Sequence, residues 1–174
     1  RMDVQGDWVL PGFVDMHVHG GAGHDFMDAD DEGLRAITRF HARHGTTSML
    51  ATSLTASRED LTAMLSRVQR FRGGEMPYAR LVGVHLEGPH VSLKWKGAQN
   101  PAHILPPQPE WLAVWIRDYP GLIKMQTLAP ELPGASEYIG QLAEAGAIPA
   151  CGHTDATYDD IVKAADRGLR QAVH

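Results

Sequence analysis

One pattern constrains this 174-residue chain more than any other: an amphipathic helix that ends at glycine and gives way at once to a short β-rich run, repeated at least three times. Leu34, Ile37 and His41 share a helical face ahead of Gly45 and the run 46–52; Gly146 precedes 148–152, and Gly168 precedes 169–174. Glycine suits these helix ends because it enters the left-handed backbone region of a terminal cap without steric cost. Two helix starts are also marked. Ser57 with Asp60 precedes Leu61, Leu65 and Val68, and Thr157 with Asp160 precedes Ile161 and Ala164, the spacing at which a side-chain oxygen satisfies a free helical N–H. Adding residues 13–19, 81–87 and 122–127 gives about six strands alternating with helices, an order that calls for a parallel sheet covered by helices.

Alternation alone leaves an open sheet and a closed barrel equally available. The polar residues decide between them. His17 and His19, Glu87, His153 and His174 each fall at or near the carboxyl end of a different strand, the rim on which a (β/α)8 barrel builds its active site. The fold expected is therefore α/β, a (β/α)8 TIM barrel. Such barrels take about 250 residues, so an N-terminal portion with about six of the eight strands is expected, cut at both ends. Residues 1–12, with Trp8-Val9-Leu10-Pro11-Gly12, read as the tail of an N-terminal β element, and 13–174 as the incomplete barrel. The longest loop, 88–109, is rich in Pro, Gly, Asn and His, and a long loop on this face is a usual place for substrate contacts.

Composition narrows the partner. The chain is 43% hydrophobic and 21% charged, enough to bury a core. Its net charge is -5 and its basic residues are scattered, which argues against nucleic acid and anionic membranes and for a small molecule. No apolar run nears the roughly 20 residues of a membrane span, and no signal-peptide pattern opens the chain, so a cytoplasmic location is expected. The lone Cys151 suits a reducing compartment. Ten histidines are the unusual entry in the composition, because imidazole is both the commonest metal ligand and the neutral-pH proton carrier.

In Asp15-Met16-His17-Val18-His19-Gly20 the two histidines are two apart on a strand, so both project to the same side, as chelation requires. Gly20 and Gly21 would let backbone approach a bound group closely. His85-Leu86-Glu87-Gly88-Pro89 closes an apolar run; a carboxylate on that inward face is costly unless a cation pairs with it, which makes Glu87 a ligand candidate. His85, one layer deeper, fits better as a hydrogen-bonded core residue supporting the ligands. His153 and His174 complete two nitrogens and one oxygen with Glu87, a set known from catalytic zinc sites that leave a fourth position to water. His24, His90 and His103 fall in loops and His41 and His44 on or just after a helix, so none is expected to bind metal. Cys151 reads as a small buried side chain in preference to a soft ligand.

The chain resembles the N-acetylglucosamine-6-phosphate deacetylase family of the amidohydrolase superfamily. The resemblance rests on the run from Pro11 to Gly21, Gly45-Thr46-Thr47, His85-Leu86-Glu87-Gly88-Pro89, Lys96-Gly97-Ala98-Gln99-Asn100-Pro101, Leu128-Ala129-Pro130-Glu131 and Gly152-His153-Thr154-Asp155-Ala156. It implies that Glu87, His153 and His174 hold a principal divalent metal and that His17 and His19, with Glu87 bridging, hold a second. Zinc stands first among the candidate metals, with Fe, Mn and Co behind it. Val173 stands where the family commonly has Thr. Ala98 and Gln99 would lie against the sugar.

The implied reaction removes acetate from N-acetylglucosamine 6-phosphate in amino-sugar catabolism or cell-wall recycling. Its general acid/base would be an aspartate beyond residue 174, and some phosphate contacts would come from a neighbouring subunit of a homodimer, so the segment alone is expected to be inactive. Two rivals are a dihydroorotase- or hydantoinase-like cyclic amidase, for which Lys124 would be the carboxylated bridging lysine, and a barrel homologue that has lost its chemistry.

Overall fold

The computed structural model describes residues 5–174. Its strands and helices alternate as the sequence predicts. Strand β1 (Phe13–Val18) is followed by a small antiparallel hairpin, β2 (Gly20–Gly21) and β3 (His24–Asp25). Helix α1 (Asp31–Ala42) leads to β4 (Thr46–Thr52), α2 (Arg58–Arg72) to β5 (Arg80–Glu87), and α3 (Pro109–Asp118) to β6 (Ile123–Leu128). The series ends with α4 (Ala135–Glu144), β7 (Ile148–Cys151), α5 (Tyr158–Arg167) and β8 (Gln171–Ala172). Residues 1–4 of the predicted lead-in lie outside the described residues, and residues 5–12 carry a turn and otherwise no regular structure.

The caps follow the sequence signals. Ser57 Oγ accepts from Asp60 N, and Thr157 forms the full reciprocal box with Asp160. Gly168 caps α5 in the left-handed region, whereas α1 and α4 close on Arg43 and Ala145 in ordinary helical geometry, with Gly45 and Gly146 taking positive φ one or two residues later.

Six strands pair in the order β1-β4-β5-β6-β7-β8, all parallel, which is chain order with the hairpin left aside. Laid flat, five strand spacings would separate β1 from β8 by about 24 Å. Yet the rings of His17, on β1, and His174, just past β8, have centroids 5.3 Å apart. The sheet is therefore curled into part of a barrel, with the carboxyl ends of its strands converging. The helices pack on the outer face through Leu34, Ile37, Leu61, Leu65, Trp115 and Tyr138, all fully buried. A smaller inner cluster of Leu50, Met125 and Ala150 fills the concave side. Thr52 and Thr127 stand two residues further along β4 and β6, so alternation carries them to the same side, nearer the rim.

Candidate metal centre

Glu87 ends β5, the strand paired with β4 on one side and β6 on the other, and its side chain is 1% exposed. Ser53 Oγ accepts from its backbone N–H at 3.1 Å. Gly88 then turns the chain out of the sheet at φ 79°, where a Cβ would collide with Thr55 Oγ1, so only glycine lets the chain leave by this route.

Four imidazoles meet the carboxylate. His17, His153 and His174 bring Nε2 to 3.3, 3.2 and 3.0 Å from Oε1, and His19 brings Nε2 to 3.2 Å from Oε2. Gln99 donates from its amide nitrogen to Oε2 at 2.9 Å, while its amide oxygen accepts from Thr55 N at 2.7 Å. Among these, His17, Glu87 and His174 place one ligand atom each within 4.8 Å of one another. All five residues that the sequence singles out for metal binding are thus brought together from β1, β5, β7 and β8. Burial pushes the Glu87 carboxyl up, but the hydrogen bonds from His17, His19 and His174 outweigh it and hold the group well below the usual carboxylate range. The same carboxylate raises His19 above its ordinary value, against burial.

The hydrogen bonds of the rings indicate what this cluster is fitted to hold. His153 Nδ1 lies 2.9 Å from Trp95 O. A carbonyl only accepts, so Nδ1 carries the proton, and in the neutral ring Nε2 then points a lone pair at a carboxylate oxygen. Two lone pairs facing at 3.2 Å call for a cation between them or a second proton on the ring. His19 Nδ1 is buried with no hydrogen-bond partner. Among the described residues, the ion-pair partners of Glu87 are histidines and none is a lysine or arginine. One buried carboxylate with nitrogen donors on both of its oxygens fits the donor set of a divalent cation.

The other candidates fall as follows. His85 is fully buried and hydrogen-bonded at both ring nitrogens, to Met16 O at 3.0 Å and Thr127 Oγ1 at 2.7 Å, and burial, with the neighbouring His17, lowers it to about 4. His41 Nε2 donates to Gly20 O at 2.9 Å, and His90 Nδ1 donates to Leu105 O at 3.1 Å. His24 lies in β3 and not in a loop, because residues 20–25 fold back as the hairpin. That hairpin also accounts for the glycines: a Cβ at Gly20 would strike His24 O, so the close approach is made by the chain itself. Cys151 is buried, and burial pushes its thiol up. Ala98 is exposed and Gln99 buried. Lys124 is exposed and sits three residues before Thr127, the residue that pairs with Glu87, hence about 10 Å down the strand from the rim.

Sequence reasoning did not assign Trp95, whose carbonyl orients His153, or the clasp behind it. Trp95 Nε1 and Lys94 Nζ donate to the Asp155 carboxylate, and Glu131 accepts from Thr154 Oγ1 at 2.5 Å and Asp155 N at 2.7 Å. His153 itself sits at φ 48°, strained for a side-chain-bearing residue, and this clasp holds it there. Glu131 and Asp155 belong to motifs visible in the sequence, but a role for them depends on contacts between distant loops.

Fold and site together define a β/α-barrel protein with a histidine–carboxylate centre at its mouth. The chain belongs to the amidohydrolase family, whose pattern matches residues 8–174. It is 38% identical over 178 residues to the N-acetylglucosamine-6-phosphate deacetylase of Lysinibacillus sphaericus, covering 100% of this chain and 45% of that protein. A structure of a mutant Mycobacterium smegmatis N-acetyl-D-glucosamine-6-phosphate deacetylase in complex with N-acetyl-D-glucosamine-6-phosphate matches with TM-score 0.88 and 39% identity, over 94% of this chain and 42% of that one. The Pasteurella multocida N-acetylglucosamine-6-phosphate deacetylase matches with TM-score 0.91 and 30% identity, over 99% and 45%. The chain thus spans less than half the length of these relatives.

Proposed function

We propose that the protein is a metal-dependent deacetylase of N-acetylglucosamine 6-phosphate, yielding glucosamine 6-phosphate and acetate. The observation that carries this reading is the convergence of four imidazole Nε2 atoms within 3.0–3.3 Å of one buried carboxylate, on a chain similar to deacetylases that include a complex with that sugar phosphate. Glu87, His153 and His174 would hold the principal ion, and His17 and His19 a second one that shares Glu87; zinc is the metal first expected. A divalent cation held there would polarise an amide carbonyl and allow a water to ionise near pH ~7.

The residues of this chain would do the positioning. Glu87 offers both oxygens because Gln99 and Ser53 fix its plane and its backbone, and His153 presents Nε2 because Trp95 holds the proton on Nδ1. A 360 Å3 recess beside His153 and His174, walled by Trp95, Cys151 and Val173, falls in the range of small-molecule sites. Ala98, exposed on the same loop as Gln99, would face the sugar, and Gln99 would act on substrate through Glu87. The proton for the leaving amine would come from an aspartate outside these residues, so the 174-residue segment would not turn over by itself. A cytoplasmic homodimer is the expected setting, and no helix among the described residues is long and apolar enough to cross a membrane.

The test is acetate release by the full-length protein from N-acetylglucosamine 6-phosphate, from its C4 epimer and from a cyclic amide, before and after exhaustive chelation. Release from the first that stops with the metal and returns with zinc is the expected result. Turnover of the cyclic amide alone would favour the dihydroorotase-like reading, although the exposed Lys124 offers that chemistry no bridging ligand.

A further inference from the structure

The β1 strand carries His17, with His19 one residue past its end, yet its ladder with β4 loses register between Asp15 and Val18, just where His17 sits. Asp15 pairs with Met49 and the next registered pair is Val18 with Ala51, so Met16 and His17 form a bulge of one extra residue. Side chains replace the lost backbone bonds. His17 N donates to Asp15 Oδ1 at 3.1 Å, Val18 N donates to Thr52 Oγ1 at 2.9 Å, and Met16 O is met by His85 Nδ1 at 3.0 Å, from a strand that is not β1's neighbour. Because Met16 O only accepts, His85 must carry its proton on Nδ1, and its Nε2 must accept from the Thr127 hydroxyl. The His85 ring also meets the His17 ring edge to face, with centroids 4.8 Å apart.

We infer that His85 is a positioning residue for the His17–His19 pair: in the Nδ1–H tautomer that Met16 O requires, and steadied at Nε2 by Thr127, it holds the bulged β1 backbone so that both imidazoles aim at Glu87. This rests on the metal reading above and extends it to two residues that touch no ion. Thr127 donates to Nε2 and holds the ring in place, and His85 uses its Nδ1 proton for one hydrogen bond to the carbonyl that precedes His17. Without that bond, a bulge has no ladder to fix the direction of its side chains, and loss of such a supporting partner typically costs about 10- to 100-fold in metal affinity.

The test measures Co2+ affinity of the full-length protein by competition with a chromophoric chelator, with the unfolding midpoint of the metal-free protein read alongside. His85→Leu is expected to weaken binding about 10- to 100-fold, and His85→Asn, whose amide keeps a donor near the Nδ1 position, to recover most of it. Thr127→Val should show a smaller loss and Thr127→Ser none, a pair that carries the test if His85→Leu fails to fold. The proposal is overturned if a folded His85→Leu binds as the parent does, or if the Asn and Ser variants do no better than their apolar counterparts. Glu87→Gln serves as the reference. If it too binds like the parent, the metal reading itself has failed; if it alone loses Co2+, the failure is confined to His85.

Discussion

Strands β1 and β5 both deliver residues to the same centre, but they fix them by different means. β5 is paired on both sides and buried along nearly its whole length; its ladders shift register at Met49/Leu50 and Val84/His85, but Glu87 ends a stretch that pairs in step with β6 from His85 onward. β1 has only β4 beside it among the described residues, is exposed at Phe13, Val14 and Met16, and breaks register where its histidines begin. The carboxylate is therefore placed by the sheet, and the histidine pair by side chains that reach into the gap. A residue set by the ladder can be moved only by disturbing the core. One set by three side-chain hydrogen bonds can be retuned one contact at a time.

The largest expected effect separates the two strands directly. Glu87→Gln keeps the shape and removes the charge that all four imidazoles face, so metal binding should fall by more than the roughly 10- to 100-fold typical of losing a supporting partner. Replacing His17 and His19 together by Ala should leave an ion held through Glu87, His153 and His174, read as metal content per chain after dialysis. Equal losses from the two would mean that β1 and β5 are not separable in this way. Stability should divide likewise. Leu86→Ala on β5 empties a fully buried position and should cost about 2–5 kcal/mol, whereas Val18→Ala, half-buried on β1, should cost about 1 kcal/mol or less in urea unfolding.

The loop that leaves β5 carries a pH dependence of its own. His90 is fully buried, donates from Nδ1 to Leu105 O, has no partner at Nε2, and packs against Tyr138 and Trp111; burial lowers it from 6.5 to about 4, with the Glu110 charge opposing only in part. The unfolded chain takes up this proton as pH falls below 6.5, and the folded chain does so only near 4. Stability from the neutral ring is therefore complete above pH 6.5 and drains away between 6.5 and 4, by up to about 3 kcal/mol. Unfolding free energies at pH 7.5 and 4.5 should differ by less in His90→Leu than in the parent. Parallel pH profiles would show that His90 does not titrate in this way.

What could be read from the sequence follows the same division. Helix caps and strand runs are local, and periodicity exposes them: β4 was bounded to the residue, and Ser57 and Thr157 cap as their spacing implies. The barrel curl was legible because histidines and a carboxylate recur at strand ends, a pattern that makes sense only if those ends converge. The β2–β3 hairpin was missed, since two-residue strands have no period, and its glycines looked like room for a ligand. The bulge in β1 and the tautomer of His153 were also out of reach. Both depend on a carbonyl and a ring nitrogen brought together by residues 69 and 58 positions apart.

The smallest effect tests whether β5 also governs a residue it does not carry. His153 sits between β7 and α5, yet its ring is held by Trp95 O and its carbonyl by Ser92 N at 2.8 Å, both from the loop that leaves β5. Helix α5 begins only at Tyr158, behind the Thr157 cap. Thr157→Ala removes the hydroxyl of that capping box and should cost about 1 kcal/mol of stability. It should leave metal affinity within about twofold, a difference well under 1 kcal/mol, because none of the bonds that aim His153 passes through the helix. A larger drop would place the aim of His153 in α5, and Glu87 would then be the one ligand that β5 sets.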